Sequence, residues 1–267
     1  MAFNSSIEWT ESTWNPITGC TKISEGCINC YAERIAKRLA GRYGYPINNP
    51  FRVTPHPDRL LQPFKWRGSH MIFVCSMGDL FHDDVPESFI LEILTIIKKC
   101  PHHIFQILTK REKRLLEISN KIGQWPDNVW IGVTVESKKY ENRIDYLRSV
   151  NASVRFLSLE PLLNHLGVIN LKGINWVIVG GESGPRARPM QLEWAINIRD
   201  QCLSKNIPYF FKQWGGFNKK ASGRCLEGRE WNELPNIYRE QSPNRVAGGF
   251  NPPAPHKLTE SKATVSN

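Results

Sequence analysis

The sequence predicts an α/β fold built on a parallel sheet. From about residue 70 to residue 215, short apolar runs rich in β-branched and aromatic residues alternate with stretches of helical periodicity. The runs are almost continuously apolar, which is typical of parallel strands covered on both faces. Such strand-helix units make either an open doubly wound sheet or a full or partial barrel. The six runs are 71–77, 104–108, 129–135, 154–159, 174–179 and 207–211.

The segments between these runs predict helices that bury one face each. After Pro86, apolar residues recur at helical spacing, and Lys98 and Lys99 suit a C-terminal turn. The fifth crossover, 161–171, is shorter and less regular. The predicted inward-facing residues are Phe89, Ile90, Ile93, Leu94 and Ile97; Leu115, Ile118 and Ile122; Ile144 and Leu147; and Ala195, Ile198 and Cys202.

Polar or charged residues follow all six runs. Ligands of parallel sheets and barrels bind at the carboxyl ends of the strands. A charge can simply mark the point where a strand leaves the core, but recurrence at six ends predicts a shared polar cleft. The residues concerned are Ser76, Gly78 and Asp79; Thr109, Lys110 and Arg111; Thr134 and Glu136; Ser158 and Glu160; Gly180, Gly181 and Glu182; and Lys212, Gln213 and Trp214.

Composition bounds the class of protein. The chain has 267 residues, of which 40% are apolar, so it can bury a substantial core. Its formal net charge of +10 favours a polyanionic partner, although a solvated basic face would give the same balance. We expect a cytoplasmic protein that binds no membrane, because the sequence contains neither a secretory signal nor about 18 consecutive apolar residues.

Seven cysteines argue against a disulfide framework, because the number is odd and no secretory signal precedes them. Cys75, Cys100 and Cys202 fall on apolar strand or helix positions, which predicts buried thiols without a metal. Cys225 is isolated in the sequence. The remaining three cysteines are grouped near the N-terminus.

Cys20, Cys27 and Cys30 form a C-x6-C-x2-C arrangement that leads into a predicted helix. Thiolates on one loop can converge on a metal centre. A structural zinc would need a fourth ligand, and the next Cys or His after Cys30 is His56. A [4Fe-4S] cluster with one open iron would need only these three. The third alternative is that the cysteines bind no metal.

Motifs along the chain carry a resemblance to a known family. WNP at 14–16, GCINCYAE, SMGDLF, LTKR, SLEPLL, VGGESG, FFKQWG and GREW resemble the three-Cys-motif proteins of bacteriophages and prophages. That family is grouped with the radical S-adenosylmethionine (SAM) barrels, with spore photoproduct lyase as a similar relative. The spacing differs from the commonest superfamily pattern, C-x3-C-x2-C, by three extra residues between the first two cysteines.

This resemblance implies a (β/α)6-type partial TIM barrel that binds a [4Fe-4S] cluster and SAM. Cys20, Cys27 and Cys30 would ligate the cluster, and SAM would chelate the open iron and be cleaved reductively to start radical chemistry. Asp79 or the Ser76 hydroxyl would receive the SAM amino group, and Glu182 would face ribose or substrate. The full set of expected cofactor residues is Ser76, Gly78, Asp79, Lys110, Arg111, Glu136, Glu160, Gly180, Gly181 and Glu182.

The expected function is therefore radical SAM chemistry on a nucleic acid or nucleotide-derived substrate. The alternative is a non-catalytic module, stapled by zinc or an Fe-S cluster, that binds nucleic acid or a partner protein encoded nearby. The predicted organisation is a cluster-bearing segment at 1–68, part of the same domain as the β/α core at 69–241, and a flexible tail at 242–267.

Overall fold

The computed structural model describes residues 5–236, which form a mixed α/β structure around one parallel sheet. Seven described strands lie in the order β1-β4-β5-β6-β7-β8-β9, and every neighbouring pair is parallel. The strands are β1 (Ser12–Trp14), β4 (Met71–Val74), β5 (Ile104–Thr109), β6 (Val129–Thr134), β7 (Val154–Leu159), β8 (Trp176–Gly180) and β9 (Tyr209–Gln213).

Helices and two short strand pairs complete the described structure. β2 (Ile17–Thr18) pairs with β3 (Thr54–Pro55), and β10 (Cys225–Leu226) pairs with β11 (Arg229–Glu230), both antiparallel. The helices are α1 (Tyr31–Arg38), α2 (Glu87–Lys98), α3 (Glu112–Ile122), α4 (Arg143–Arg148), α5 (Leu192–Ser204) and α6 (Lys219–Ser222). The tail predicted at 242–267 lies outside the described residues.

Each of the six predicted apolar runs overlaps one strand of the sheet, and β5, β8 and β9 extend one or two residues past the end of their runs. β4 is shorter than the predicted run 71–77, because the chain turns at Cys75, which has a φ of 60° and directly follows Val74. The sequence pattern does not predict β1, because this strand has only three residues and no run of apolar side chains. It forms at the sheet edge through pairing with β4, where Trp14 lies opposite Val74.

The predicted helices form, and their apolar stripes pack against the outer face of the sheet. Ile90, Leu115, Ile144 and Ile198 belong to one buried cluster with the outward side chains of the strands. No described helix connects β7 to β8, in keeping with the irregular fifth crossover. Cys75, Cys100 and Cys202 are buried, as their positions predicted.

The sheet curls into a half-barrel around an aromatic interior. Phe73 on β4 and Trp176 on β8 are four strands apart, a distance of about 19 Å in a flat sheet. The Trp9 ring lies 4.7 Å from the Phe73 ring and 6.3 Å from the Trp176 ring, measured between centroids. One side chain can bridge these strands only because the sheet curls around it.

The inner face changes character along the strands. Near the amino ends, large side chains such as Trp130, Phe156 and Phe210 fill the interior. Toward the carboxyl ends, the inward positions carry Thr134 and Ser158. Small polar residues leave space above the aromatic layer, so the half-barrel is filled at one end and open at the other. Within residues 5–236, no helix is long and apolar enough to cross a membrane.

Gly132 tests the packing of this interior. It lies opposite Phe156 in the β6–β7 register, and a Cβ atom there would lie 2.5 Å from the Phe156 ring. We expect Gly132→Ala to lower the free energy of unfolding by about 1–3 kcal/mol, because the core would be overpacked. Urea denaturation measures this change. Combining it with Phe156→Leu removes the clash, so the double variant should lose less than the sum of the single effects. Strict additivity would contradict this account.

Candidate functional site

A cleft of about 1260 Å³ opens above the aromatic layer, at the carboxyl ends of the strands. Trp9 and Phe73 contribute to its floor, and Thr134 and Ser158 to its walls. The polar strand ends and the grouped cysteines therefore border one space. The predicted site residues that line it are Cys20, Cys27, Cys30, Ser76, Gly78, Asp79, Lys110, Glu160, Gly181 and Glu182.

Gly19 fixes the first cysteine beside the end of β4. Its amide donates to the Met77 carbonyl at 2.9 Å, and its φ of +86° lies in the left-handed region. A Cβ atom at this position would lie 2.1 Å from the Arg52 carbonyl oxygen. Only glycine fits such an approach. The next amide, that of Cys20, donates to the Phe51 carbonyl at 3.1 Å.

Cys27 and Cys30 sit on either side of the turn that starts α1. Cys27 ends a 3-10 turn at Glu25–Cys27, and Cys30 directly precedes α1. The Tyr31 hydroxyl donates to the Ser76 carbonyl, which ties this helix to the end of β4. All three cysteines of the loop are partly exposed, whereas Cys75, which also borders the cleft, is buried. The loop thus places three partly exposed cysteines at the cleft.

The electrostatic environments of these thiols differ. Burial and the nearby Asp79 carboxylate raise the pKa of Cys20 to about 12. Burial also acts to raise the pKa of Cys27, but Lys110 and a hydrogen bond with Ser24 lower it on balance. Thiolates are the form that binds metal, and a metal centre promotes their formation by supplying positive charge.

The donor set of the loop consists of three cysteines, a ligand type that zinc and Fe-S clusters share. Within residues 5–236, no three His, Cys, Asp or Glu side chains are grouped so that they could hold one ion. A tetrahedral zinc site requires such convergence. An Fe-S cluster instead takes each thiolate on a different iron, so the ligands surround a larger body. Three cysteines that border a roomy cleft supply the thiolates that such a cluster would take.

Asp79 and Ser76 are held tightly by the protein. The Thr109 hydroxyl donates to the Asp79 carboxylate at 2.8 and 2.9 Å, and the Phe81 amide donates to it at 2.9 Å. The Ser76 hydroxyl donates to the Asn15 side-chain oxygen at 3.1 Å. These bonds give the SMGD segment a rigid place at the cleft wall.

Glu182 joins the GGESG segment to the cysteine loop. Its carboxylate accepts hydrogen bonds from Arg188 at 2.6 Å and from the Asn29 amide at 3.0 Å. Arg188 also donates to the Glu25 carbonyl at 2.9 Å. Burial acts to raise the pKa of Glu182, but its bonds with Arg188 and Asn29 lower it on balance. Glu182 therefore acts in this structure as a charged tether between two loops.

Glu160 and Lys212 form an ion pair across β8. Their side chains, from the ends of β7 and β9, meet at 2.6 Å between Oε1 and Nζ. Gly180 lies between them, and a Cβ atom there would be 3.4 Å from both Glu160 and Lys212. Gln213 lies beside the pair and donates to the Ser183 hydroxyl at 2.6 Å. A polar group that can donate and accept protons thus faces the cleft.

Three predicted cofactor residues do not line the cleft. Gly180 lies between Glu160 and Lys212, and Arg111 and Glu136 lie against the cysteine loop. Arg111 donates to the Thr21 hydroxyl, next to Cys20, at 2.9 Å. Glu136 is fully buried and pairs with Arg143 at 2.8 Å, and a Cβ atom at position 26 would lie 3.0 Å from its Oε1. Their cofactor roles stay predictions.

Gly181, in the GGESG segment, packs closely against the backbone at the end of β9, a role that the sequence motif does not indicate. A Cβ atom there would lie 1.9 Å from the Trp214 carbonyl oxygen, so glycine allows the end of β9 to approach. Lys212 and Gln213, which the sequence predicts at a polar strand end but not as cofactor residues, also line the cleft, and so does Arg34. Lys212 and Gln213 are the last two residues of β9, and Arg34 lies one helical turn after Cys30. The position of Arg34 close to the cysteine loop was a signal that the sequence offered.

The family described as "Protein of unknown function (DUF5131)" matches residues 4–235. This chain belongs to the DUF5131 family. A comparison with proteins of curated function finds no match for this DUF5131 chain.

Solved structures of spore photoproduct lyase are similar in fold to this DUF5131 protein. A cysteine-to-serine mutant has a TM-score of 0.42 and 14% identity, with 75% of this chain and 63% of that chain covered. Another mutant, with bound AdoMet and dinucleoside spore photoproduct, has a TM-score of 0.40 and 12% identity, with 72% of this chain and 61% of that chain covered. The DUF5131 chain thus spans less than two thirds of these lyases.

The Glu182 tether predicts a pH-dependent contribution to stability. Replacing Glu182 with Gln should lower the free energy of unfolding by about 2 kcal/mol near neutral pH, because the charge-assisted bonds to Arg188 are lost. The folded pKa lies below the ordinary value of 4.5. The contribution is therefore complete above that value and disappears as the pH falls through the folded pKa. Urea denaturation at neutral and acidic pH measures the difference.

Glu193→Gln is the matched control for this substitution. Glu193 is exposed at the start of α5, so its loss should change the free energy of unfolding by less than about 0.5 kcal/mol. Equal effects of the two substitutions, or a Glu182→Gln effect that persists unchanged in acid, would contradict the tether.

Proposed function

We propose that this DUF5131 protein is a cytoplasmic radical SAM-like iron-sulfur enzyme, one of the three-Cys-motif proteins of bacteriophages and prophages. Its substrate in this proposal is a nucleic acid or a nucleotide-derived molecule. The observation that carries the proposal is the meeting of three partly exposed cysteines and the polar strand ends in one cleft. A cofactor held at the thiols would then lie beside any substrate held by the strand ends.

The protein's part in the reaction is to hold and orient. Cys20, Cys27 and Cys30 are the proposed cluster ligands. When bound, a [4Fe-4S] cluster with an open iron supplies the electron that cleaves SAM into methionine and a 5'-deoxyadenosyl radical. Asp79 and Ser76 would bind the amino group of SAM from the wall of the cleft. The aromatic layer below them excludes water from the inner end of the cleft.

We place the substrate near the ends of β7 and β9, on the opposite side of the cleft from Asp79. Glu160 and Lys212 lie there as a largely buried pair, with side chains 18% and 12% exposed. Lys212 Nζ can donate to a substrate oxygen, and Glu160 can accept a hydrogen bond from a substrate N–H or O–H. This arrangement would fix the orientation of a polar heterocycle above the aromatic layer.

One observation favours a second candidate function. Both Asp79 and Glu182, which would serve the cofactor, already have their carboxylates engaged by protein groups. Carboxylates that are already bonded to protein groups also suit a non-catalytic module. In such a module a metal centre only stabilises the loop, and the surface binds nucleic acid or a protein. Such a module would hold zinc or a cluster inert toward SAM.

Metal content and SAM cleavage separate the two candidates. Anaerobically reconstituted protein should bind about four irons, appear brown and convert SAM to 5'-deoxyadenosine when dithionite is added. Cys20→Ala, Cys27→Ala and Cys30→Ala should each lower iron content and abolish the conversion. Iron analysis, the visible absorbance spectrum and chromatography of the nucleoside product measure these effects.

Cys225→Ala provides the matched control, because Cys225 is exposed and distant in sequence from the loop. It should keep both iron content and SAM cleavage. Colourless protein that holds zinc, or protein with a complete cluster that leaves SAM intact under reduction, would overturn the enzyme and favour the stapled module.

A further inference from the structure

A second, basic groove adjoins the cleft. It has a volume of about 450 Å³ and lies between the starts of α3 and α4. Two carboxylates line it, Asp83 and Glu112, against six cations, so its lining is strongly positive. The cations are Lys110, Arg111, Lys113, Arg114, Lys139 and Arg143.

The carboxylates of the groove are already neutralised by arginines. Asp83 pairs with Arg111 at 2.9 Å, and Glu112 pairs with Arg143 at 3.3 Å. Within residues 5–236, by contrast, Lys113 and Lys139 form no ion pair, and both are exposed. The groove therefore keeps free positive charge where a ligand can reach it. The first turn of α3, which also lines it, adds the positive end of a helix dipole.

The groove leads directly into the cleft. Ile23 and Lys110 line both spaces, and the Lys110 charge acts on the Cys27 thiol. A polyanion lying along the groove would therefore pass beside the cysteine loop. A small phosphorylated molecule would occupy either the groove or the cleft. An extended chain of phosphates would fill the groove and continue into the mouth of the cleft, so the continuity of the two spaces favours an extended ligand.

The cleft carries groups suited to the edge of a nucleobase. Gln213 is 3% exposed, and its side-chain oxygen has no hydrogen-bond partner among the described residues. Beside it, Glu160 and Lys212 offer a further acceptor and a donor. Bases present adjacent donors and acceptors on their edges, and enzymes that act on a base take it out of the stack. An acidic peptide would supply the charge but no such heterocycle.

From these observations we infer that the ligand is a single-stranded nucleic acid whose phosphodiester backbone lies in the basic groove, with one base turned into the cleft toward Gln213. This inference rests on the proposed function for the identity of the reaction, but the binding it describes needs neither SAM nor a reductant. Lys113 and Lys139 contact phosphates, and Gln213 accepts a hydrogen bond from the inserted base.

The test measures binding of a labelled single-stranded DNA of about 12 nucleotides to the full-length reconstituted protein, by fluorescence anisotropy at several salt concentrations. The double variant Lys113→Ala/Lys139→Ala should raise Kd about tenfold at low salt. It should also reduce the magnitude of the negative slope of log K against log salt by about 1.4, because two phosphate contacts are lost and each contributes about 0.7 on a single strand.

The double variant Lys98→Ala/Lys99→Ala removes the same charge from the exposed end of α2, outside both spaces, and should bind as the wild type does. Circular dichroism confirms that both double variants are folded. Equal weakening by the two double variants would overturn the groove assignment. Displacement of the oligonucleotide by polyglutamate of equal charge would also overturn the inference, because a general acidic ligand would then suffice.

A 2-aminopurine in the middle of the strand tests the inserted base. Its fluorescence should rise on binding, since unstacking relieves quenching, and Gln213→Leu should reduce this rise while leaving the salt slope unchanged. No fluorescence change in the wild-type complex would overturn the insertion. If the wild-type protein binds the oligonucleotide but does not cleave SAM, the proposed function is refuted and this inference stands. If the wild-type protein cleaves SAM but does not bind the oligonucleotide, this inference is refuted and the proposed function stands.

Discussion

The packing of Trp9 inside the curled sheet is the contact on which the rest of the structure depends. Its ring touches aromatic side chains from β4, β7 and β8, so strands that would be far apart in a flat sheet surround one side chain. The curl turns the carboxyl ends of the strands toward a common space. Because the aromatic layer fills only the lower half of the interior, the polar ends above it border a cleft instead of a core.

The cysteine loop is positioned by contacts from distant parts of the chain. Gly19 bonds to the end of β4, Arg111 bonds to Thr21, and Glu182 bonds to Asn29. A loop with little regular structure of its own is thereby held over the cleft. Such support from outside the loop is what the proposed cofactor site would require, since ligands held loosely would not keep a constant geometry.

Several charged residues at the strand ends do structural work beside the cleft. Glu182 and Arg111 brace the loop, and Glu160 and Lys212 pair with each other. Charge at a strand end is therefore not by itself a sign of ligand contact. The partners of each group decide its role, and those partners come from elements far away in the sequence.

The sequence by itself determined the parallel α/β architecture, the six main strands and the grouping of three cysteines, because these depend on local periodicity and spacing. Tertiary structure alone decided the rest. The strand β1 forms only because β4 offers it an edge, and Arg111 and Glu136 lie beneath the loop because of how α3 and α4 pack. The pairing of Glu160 with Lys212 spans 52 positions, and no local pattern encodes contacts across that separation.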